Sequence, residues 1–491
     1  MAGAATFFFS VSRETSRRKE TPGIAFRKAL AHATLAHTNL AYARRGWPQD
    51  SVSAKAVKRS ADFLDNTEVN METPIFTSAA RMLLKRNTQT FVRDGRTYRF
   101  TAPSSLHPFQ WLWDSCFHAI VWTHFDGERA KDELKSLLLW QRPDGFIPHV
   151  IFWDQSRVRR SPWWWHYWET LGRFTFLPGI AKPQTSAFTQ PPVLAQAVKR
   201  IVDATDDLTF LDEMLPALER FYRWFAETRD PDHDGLLSTI TQFESGLDFS
   251  PAYDASIGFS GASGAKLLVR SRWPEVQNKI LFNYDARRIL QGRSYPHEDV
   301  LLNSIYVQGL QTLARLATIR GKFACADWAH AQAHRTTQAL LSKCYDAEAG
   351  LFWNLFGKNE TPSKVKTVIS LMPLILPDLP RPIAERLVEH IKRSFWPEFP
   401  IPTTATDEPS YRSDNRMRGK RFSWRGATTM NINWFLAHGL RAHTFFDLGD
   451  ELATRSRRLV ERSGFTEFYD SRNGAAAGAT DFGWATLAID M

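Results

Sequence analysis

The segment EDVLLNSIYVQGLQTLARLATIRG, residues 298–321, has apolar residues at the three- and four-residue spacing of one helix face. Gly321 follows the last periodic position, where glycine commonly ends a helix. The same spacing appears upstream in PPVLAQAVKRIVDAT (191–205), where Pro192 suits a first helical turn, and in LDEMLPALERFYRWFAETRD (211–230). Four further segments have this pattern: 322–344, 380–395, 430–445 and 449–463. Alternating strand patterns are scarce and short, so the sequence predicts a mostly α protein.

The links between these helices are long and rich in aromatic residues, proline and glycine. The four clearest are FIPHVIFWDQSRVRRSPWWWHYW (146–168), STITQFESGLDFSPAYD (238–254), FPIPTTATDEPSYRSDNRMRGKRFSWRG (399–426) and TEFYDSRNGAAAGATDFGW (466–484). Loops of this length are usually functional or disordered, and the 18 tryptophans of the chain argue against disorder. We therefore predict a helical scaffold with an aromatic-lined site on its loops. Antiparallel helix pairs wound into an α/α toroid fit this alternation.

The net charge of +10 belongs almost entirely to the start of the chain. Residues 1–60 hold 11 Lys/Arg and 3 Asp/Glu, whereas the remaining residues hold 51 and 49. This distribution argues against a nucleic-acid groove on the main domain. We predict a basic arm over residues 1–75, partly disordered or targeting, and a catalytic domain over residues 76–491.

The compartment is predicted from three absences. Cys116, Cys325 and Cys344 are far apart and suggest neither a disulfide framework nor a metal site, which fits a reducing compartment. No apolar run approaches the ~18 residues of a membrane span. The prediction is a cytoplasmic protein, with organellar targeting by the arm as the alternative. No cofactor is predicted, and the sequence does not specify an oligomeric state.

The stretch HPFQWLWDSCFHAIVW (107–122) is the first candidate for chemistry. Trp111 and Trp113 could stack on sugar rings, and Asp114 could accept hydrogen bonds from sugar hydroxyls. Asp114 could equally cap the helix that follows. In WQRPDGFIPH (140–149), Gln141 adds a polar side chain in a turn.

The stretch TQFESGLDFSPAYD (241–254) places acids among aromatic residues. Asp248 lies between Leu247 and Phe249, and apolar neighbours raise the pKa of a carboxyl group so that it can donate a proton near neutral pH. Glu244 could pair with Asp248 or hold substrate hydroxyls. Just upstream, DPDHDG resembles the start of a calcium loop, but the twelfth position is Thr241 instead of Glu. No metal is therefore predicted.

Two later stretches contain the remaining candidate site residues. In RFSWRGATTMNINWF (421–435), Arg425 follows Trp424 and could bind a carboxylate or orient an active-site acid. A structural salt bridge is the alternative. In TEFYDSRNGAAAGATDFGW, Glu467 precedes a Gly/Ala-rich loop, and a capping or surface role is the alternative.

Together these stretches resemble glycoside hydrolase family 63, most closely its bacterial-type mannosylglycerate and glucosylglycerate hydrolases. In chain order they are PFQWLWDSCFHAI, LLLWQRPDGFIPH, TQPPVLAQAV, ESGLDFSPAYD, HEDVLLNSIY, SWRGATTMNINWFL and TEFYDSRNGAAAGATDFGW, spanning residues 108–484. The resemblance implies an (α/α)6 barrel with long active-site loops and an inverting mechanism with two carboxylic acids. It matches Asp248 to the general acid and Glu467 to the general base. It matches six residues to the sugar pocket: Trp111, Trp113, Asp114, Gln141, Trp424 and Arg425.

The sequence departs from the family at one motif. Members usually read Tyr-Trp-Arg-Gly-Pro followed two residues later by Trp, whereas Ser423, Ala427 and Thr429 replace the Tyr, the Pro and that Trp. We predict an inverting α-glycosidase of a small carbohydrate, either a mannosylglycerate- or glucosylglycerate-like substrate or an α-glucoside. The alternatives are a trehalase-like or oligosaccharide α-glucosidase activity on the same barrel, and a catalytically silent carbohydrate-binding protein.

Overall fold

The computed structural model divides the chain into two units, Met1–Met71 and Glu72–Met491. It describes residues 72–154, 184–292, 296–422 and 424–491. The predicted arm lies outside the described residues except for positions 72–75, which begin the first helix. Residues 155–168 of the first aromatic loop and Ser423 also lie outside them. The proposed domain boundary at residue 75 stays a prediction.

Within the described residues the chain forms twelve α-helices. They are α1 (Glu72–Asn87), α2 (Leu112–Trp122), α3 (Gly127–Leu138), α4 (Leu194–Thr205), α5 (Leu208–Thr228), α6 (Gly264–Phe282), α7 (Ala286–Gly292), α8 (Val300–Ile319), α9 (Phe323–Ala339), α10 (Arg381–Ser394), α11 (Met430–Ala442) and α12 (Phe446–Ser463). The sequence prediction located most of them to within a few residues. It did not include α1, α3, α6 and α7.

Local chemistry explains the ends of α8. The Asp299 side chain accepts a hydrogen bond from the Leu302 amide at 2.8 Å and caps the first turn. Gly321 follows the helix at a φ of +65°, so the predicted glycine stop is confirmed. The prediction for Pro192 was wrong by two residues, because α4 begins at Leu194. The Pro192 carbonyl instead accepts a hydrogen bond from the Tyr222 hydroxyl at 2.7 Å.

Six helical hairpins build the domain. Each inner element packs against the next around a closed ring: α2, α4, α8, the 3-10 segment Val368–Ile375, α11 and the 3-10 segment Gly483–Ile489. Each also packs against an outer helix, in the same order: α3, α5, α9, α10, α12 and α1. The predicted mostly α fold, an (α/α)6 barrel, is confirmed. The sixth hairpin pairs the first described helix with the last element of the chain.

Burial explains why the two rings differ in sequence. Every residue of α2 is buried, because an inner helix has neighbours on all sides. The outer helix α12 buries only one stripe, made of Gly449, Leu452, Ala453, Ser456, Leu459 and Val460. This is the three- and four-residue spacing of a helix that faces solvent on its other side. None of the described helices is both long and apolar enough to cross a membrane.

Short strands tie the connecting loops together. They are β1 (Thr88–Arg93), β2 (Arg96–Thr101), β3 (Gln110–Trp111), β4 (Val150–Ile151), β5 (Ser238–Thr239), β6 (His297–Glu298), β7 (Tyr345–Asp346), β8 (Leu351–Phe352), β9 (Asn354–Phe356), β10 (Thr361–Ser363), β11 (Arg416–Met417), β12 (Lys420–Arg421), β13 (Thr466–Tyr469) and β14 (Ala476–Thr480). Five sheets are two-stranded, and one has four strands in the order β10-β9-β6-β5. All the pairings are antiparallel. These pairings fix the loops on which the predicted site residues lie.

Candidate active site

A cavity of about 500 Å³ is lined by loops that are far apart in the sequence. Six of the nine predicted site residues line it: Trp111, Trp113, Asp114, Asp248, Trp424 and Glu467. They come from β3, α2, the loop after β5, the loop after β12, and β13. The fold therefore brings the two proposed catalytic acids to one cavity, although 219 residues separate them.

A tight turn presents Asp248 to this cavity. The turn follows the 3-10 segment Gln242–Ser245, and the Gln242 side-chain oxygen accepts a hydrogen bond from the Phe249 amide at 2.8 Å. Gly246 adopts a φ of +74°, and a Cβ at this position would lie 2.4 Å from the Trp113 ring. Only glycine permits both the backbone conformation and this close approach. The glycine of ESGLD thus allows Trp113 and Asp248 to line the same wall.

Trp424 contacts Asp248 directly. Its indole Nε1 donates a hydrogen bond to Asp248 Oδ1 at 3.2 Å. Its backbone has a φ of +69°, a conformation that costs a non-glycine residue about 1–3 kcal/mol. The ring packs edge-on or tilted against two other indoles, with centroids 6.3 Å from Trp113 and 5.8 Å from Trp484. This tryptophan cluster orients the Asp248 carboxyl group.

Arg425 lies outside the cavity lining and beneath the turn that contains Asp248. Its guanidinium makes a bidentate ion pair with Asp254, at 3.0 and 2.7 Å, and donates to the Phe249 carbonyl at 2.9 Å. Both partners belong to the chain around Asp248. Of the sequence alternatives, this geometry is the structural salt bridge, and it ties down the segment that contains Asp248.

Gln141 and Glu244, also predicted to bind substrate, lie outside the cavity lining. The Gln141 amide donates to the carbonyls of Gly145 and Ala217 and accepts from Arg220. Glu244 is buried and accepts hydrogen bonds from the Arg229 guanidinium at 2.5 Å and from the Thr189 and Ile240 amides. The bonds of Gln141 join its turn to α5, and those of Glu244 join three segments of the chain, so both side chains make structural contacts.

Glu467 reaches the cavity from the β13–β14 hairpin. Its Oε2 accepts a hydrogen bond from the Ala479 amide at 2.9 Å, and its carbonyl accepts one from Trp484 Nε1 at 2.9 Å. Gly478, with a φ of +74°, lies alongside, and a Cβ there would be 2.6 Å from Oε2. The Gly/Ala-rich sequence after TEFYD therefore leaves room for the carboxyl group.

Asp114 lies in the first turn of α2, but the N-cap position of this helix is Trp111. The alternative that Asp114 caps the helix is therefore wrong. The side chain is buried, and Oδ1 has no hydrogen-bond partner among the described residues. Burial, with the nearby charges of Glu467 and Glu133, raises the pKa of Asp114 well above its usual value. An unsatisfied acceptor on a cavity wall is suited to a ligand hydroxyl group.

Burial also raises the pKa values of both proposed catalytic acids. It raises the pKa of Asp248 to about 6, although Arg272 and the Trp424 hydrogen bond favour the ionised form. It raises the pKa of Glu467 to about 7, against the Ala479 hydrogen bond and the charge of Arg421. Interacting carboxyls titrate as a pair. Between these values the two acids together hold about one proton.

We expect kcat/KM to follow a bell-shaped pH profile with its maximum between pH 6 and 7, where the pair is singly protonated. Below this range both acids are protonated, so neither can accept a proton from water. Above it both are ionised, so neither can protonate a leaving group. Initial rates at low substrate concentration across pH 4–9 check this. A flat profile over this range would contradict the assignment of two titrating carboxyls.

Several cavity residues were not found from the sequence. The rings of Trp484 and Phe482 pack against each other at an angle of 50°, with centroids 4.4 Å apart. Arg272, Lys420 and Arg421 give one part of the lining a positive charge. The aromatic pair had a signal in TDFGW, but Arg272 comes from α6, which was not predicted. Ala427 and Thr429, the replaced family positions, are buried outside the lining.

The comparisons with known proteins agree with this geometry. Residues 107–485 match the mannosylglycerate hydrolase MGH1-like glycoside hydrolase domain. The chain is 31% identical over 423 residues to a mannosylglycerate hydrolase of Thermus thermophilus, covering 79% of this chain and 96% of that enzyme. It is 24% identical to a glucosylglycerate hydrolase of Mycolicibacterium hassiacum, covering 79% and 92%.

A solved structure extends this likeness to three dimensions. The GH63 mannosylglycerate hydrolase of Thermus thermophilus in complex with glucose superposes with a TM-score of 0.70 at 28% identity, covering 84% of this chain and 99% of that one. The chain therefore belongs to the MGH1-like glycoside hydrolase family and is, as its sequence predicts, an inverting α-glycosidase that acts on small glycosides.

Proposed function

We propose that this enzyme releases glycerate from an α-linked glycosyl glycerate, with Asp248 as the general acid and Glu467 as the general base. The main support is the charge of the cavity wall. Arg272, Lys420 and Arg421 line an otherwise largely aromatic cavity that also contains the two acids. A glycerate carboxylate complements these cations, whereas a neutral aglycone such as a second glucose does not.

Packing and an ion pair hold Arg272 in a position where it can bind a glycerate carboxylate. Its guanidinium lies over the Phe243 ring, 4.3 Å from the centroid, and Nη1 donates to Glu275 at 2.8 Å. The side chain is largely buried, with 17% of it exposed. A buried, oriented guanidinium binds a carboxylate more strongly than an exposed one, because water competes less. Lys420 and Arg421 are exposed and add charge at the entrance.

The sugar would occupy the tryptophan-lined part of the cavity. Trp111, Trp113 and Trp484 offer ring faces and edges to the apolar side of a pyranose. Asp114 Oδ1, which has no hydrogen-bond partner within the described residues, would accept a hydroxyl hydrogen. The names of the relatives include both mannosyl- and glucosylglycerate. The proposal therefore specifies glycerate as the aglycone and allows either mannose or glucose as the sugar.

The reaction then follows from the two acids. Asp248 transfers its proton to the glycosidic oxygen as the bond to the anomeric carbon breaks. Glu467 takes a proton from a water molecule, whose oxygen bonds to that carbon from the opposite face. Such a pair requires carboxyl groups about 6.5–9.5 Å apart, to leave room for the water. The reaction needs the proton on Asp248, and an anionic glycerate near Asp248 would favour this state because it raises the pKa of this acid.

Paired substrates test the proposal. We expect α-mannosyl- or α-glucosylglycerate to be cleaved with a kcat/KM at least about 10²-fold higher than the matching glycoside of glycerol, because a lost charged partner costs about 3 kcal/mol. NMR of the first product should show the β-anomer of the free sugar. Equal rates on the two aglycones would contradict the glycerate assignment. Comparable hydrolysis of trehalose would favour the trehalase-like alternative, and initial release of the α-anomer would contradict inversion.

A further inference from the structure

A cluster of four carboxylates lies apart from the active-site cavity lining. Asp232 and Asp234 belong to the turn that follows α5, Glu298 to β6, and Glu360 to the turn before β10. One oxygen from each lies within 4.8 Å of the other three. Two oxygens bound to one ion at about 2.4 Å can be at most about 4.8 Å apart, so all four are close enough to share a calcium ion.

The backbone holds these acids together. Glu298 pairs with Ser238 of β5 on one side and with Leu355 of β9 on the other. The Glu360 amide donates to the Gly357 carbonyl in the turn between β9 and β10. On the other segment, Asp234 Oδ1 accepts the Leu236 amide at 2.7 Å. These backbone hydrogen bonds keep the four acids close together although their like charges repel each other. The repulsion favours the binding of a positive charge between them.

Lys343 provides part of that charge but contacts only two of the four acids. Its ammonium donates to Asp234 and, at 2.8 Å, to Glu360. Glu298 is 8% exposed, and its Oε2 has no hydrogen-bond partner in the part of the chain that the structure describes. A buried, unpartnered carboxylate that points at other acids is costly unless a cation binds it.

We propose that Asp232, Asp234, Glu298 and Glu360 bind one Ca²⁺ ion. All four donors are carboxylate oxygens, and the cluster contains no imidazole or thiolate. Such a set suits calcium better than zinc, because calcium accepts irregular oxygen coordination. Magnesium demands a near-ideal octahedron and retains its waters, so it fits the cluster less well. The sequence argument against a metal looked for a glutamate at Thr241, in the same segment. The fold supplies the missing acids from Glu298 and Glu360 instead.

The site has a structural consequence for the active site. The strand β5, paired with Glu298, leads within ten residues to Asp248. Between them, the Ile240 amide donates to Glu244 Oε2 at 2.9 Å and Thr241 Oγ1 donates to Glu275 at 2.7 Å. An ion that joins the turn before β5 to β6 would therefore fix the start of the segment that presents the general acid.

Calorimetric titration of the chelator-treated full chain with CaCl₂ tests the proposal. We expect one ion per chain, a rise in Tm with calcium, and a much smaller rise with magnesium. Glu298→Gln and the exposed Asp232→Asn should each weaken calcium binding at least tenfold. Lys343→Met should strengthen it, because a competing cation is removed. Glu348→Gln, which alters an exposed acid in the nearby β7–β8 turn, is the matched control and should bind as the unaltered chain does.

Three outcomes would overturn the proposal. They are no heat and no Tm shift at millimolar calcium, more than one equivalent site, and unchanged affinity in Asp232→Asn. The last variant covers the case in which Glu298→Gln fails to fold, because Asp232 is exposed. None of these readouts requires substrate, so the result does not depend on the glycerate proposal.

Discussion

The Asp248→Asn variant is expected to lose about 10²–10⁴-fold in kcat on a glycosyl glycerate, the usual contribution of general acid catalysis. Asparagine keeps the oxygen that accepts the Trp424 hydrogen bond but has no acidic proton. The loss should be much smaller on an α-glycosyl fluoride, because fluoride departs without protonation. Parallel kinetics on the two substrates measure this difference.

Loss of activity through unfolding must be distinguished from loss of catalysis. The coupling between proton binding and folding stability provides this control. The folded pKa of Asp248 is about 6 against an ordinary value of 3.8, so the folded chain binds this proton more tightly than the unfolded chain. Its contribution to stability is therefore present at low pH and is lost as the pH rises through 6. At pH 8 the ionised carboxylate destabilises the fold, and Asp248→Asn should have an equal or higher Tm. Glu348→Gln should match the unaltered enzyme in rate.

The Glu467→Gln variant is expected to lose about 10²–10⁴-fold on both substrates, because water must be activated whichever group leaves. Glutamine can still accept the Ala479 amide through its side-chain oxygen, so the hairpin geometry should persist. The folded pKa of Glu467, about 7, is also raised, so by the same linkage its Tm at pH 8 should not fall.

The two variants together decide the roles. The pKa values of about 6 and about 7 belong to an interacting pair and do not assign the two roles, whereas the family resemblance makes Asp248 the acid. If Glu467→Gln, and not Asp248→Asn, retains fluoride hydrolysis, the roles must be exchanged. If either variant hydrolyses the glycosyl glycerate at the unaltered rate, that residue is not catalytic.

The fold was predictable because inner and outer helices have clear apolar patterns. α8 and α12 were located from spacing alone, and Gly321 marked a helix end. Two inner elements of the ring were not located. Val368–Ile375 and Gly483–Ile489 are short 3-10 segments, and the first is apolar except for Ser370, with Pro373 inside it. A short apolar run has no period that distinguishes a helix from a strand.

The candidate site was predictable where the chemistry depends on neighbours in sequence. Asp248 between Leu247 and Phe249, and Glu467 before a glycine-rich loop, were identified in this way. Arg425, Gln141 and Glu244 were predicted to bind substrate, but they lie outside the lining and their hydrogen bonds go to other segments of the fold. Arg272 was missed, since its position depends on how α6 packs over the cavity. Contacts between residues that are far apart in the chain cannot be predicted from the local sequence pattern.

The closure of the ring has a consequence for biosynthesis. The last hairpin pairs α1 with Gly483–Ile489, and the Asn87 side chain donates to the Asp481 carbonyl at 2.8 Å. Asp490 accepts hydrogen bonds from Trp434 at 2.8 Å and, at 2.7 Å, from His124. A ribosome makes residues 466–490 after every other described part of the barrel. A nascent chain without these residues therefore holds an open ring that lacks Glu467, the proposed general base, and we expect it to be inactive until they emerge and dock.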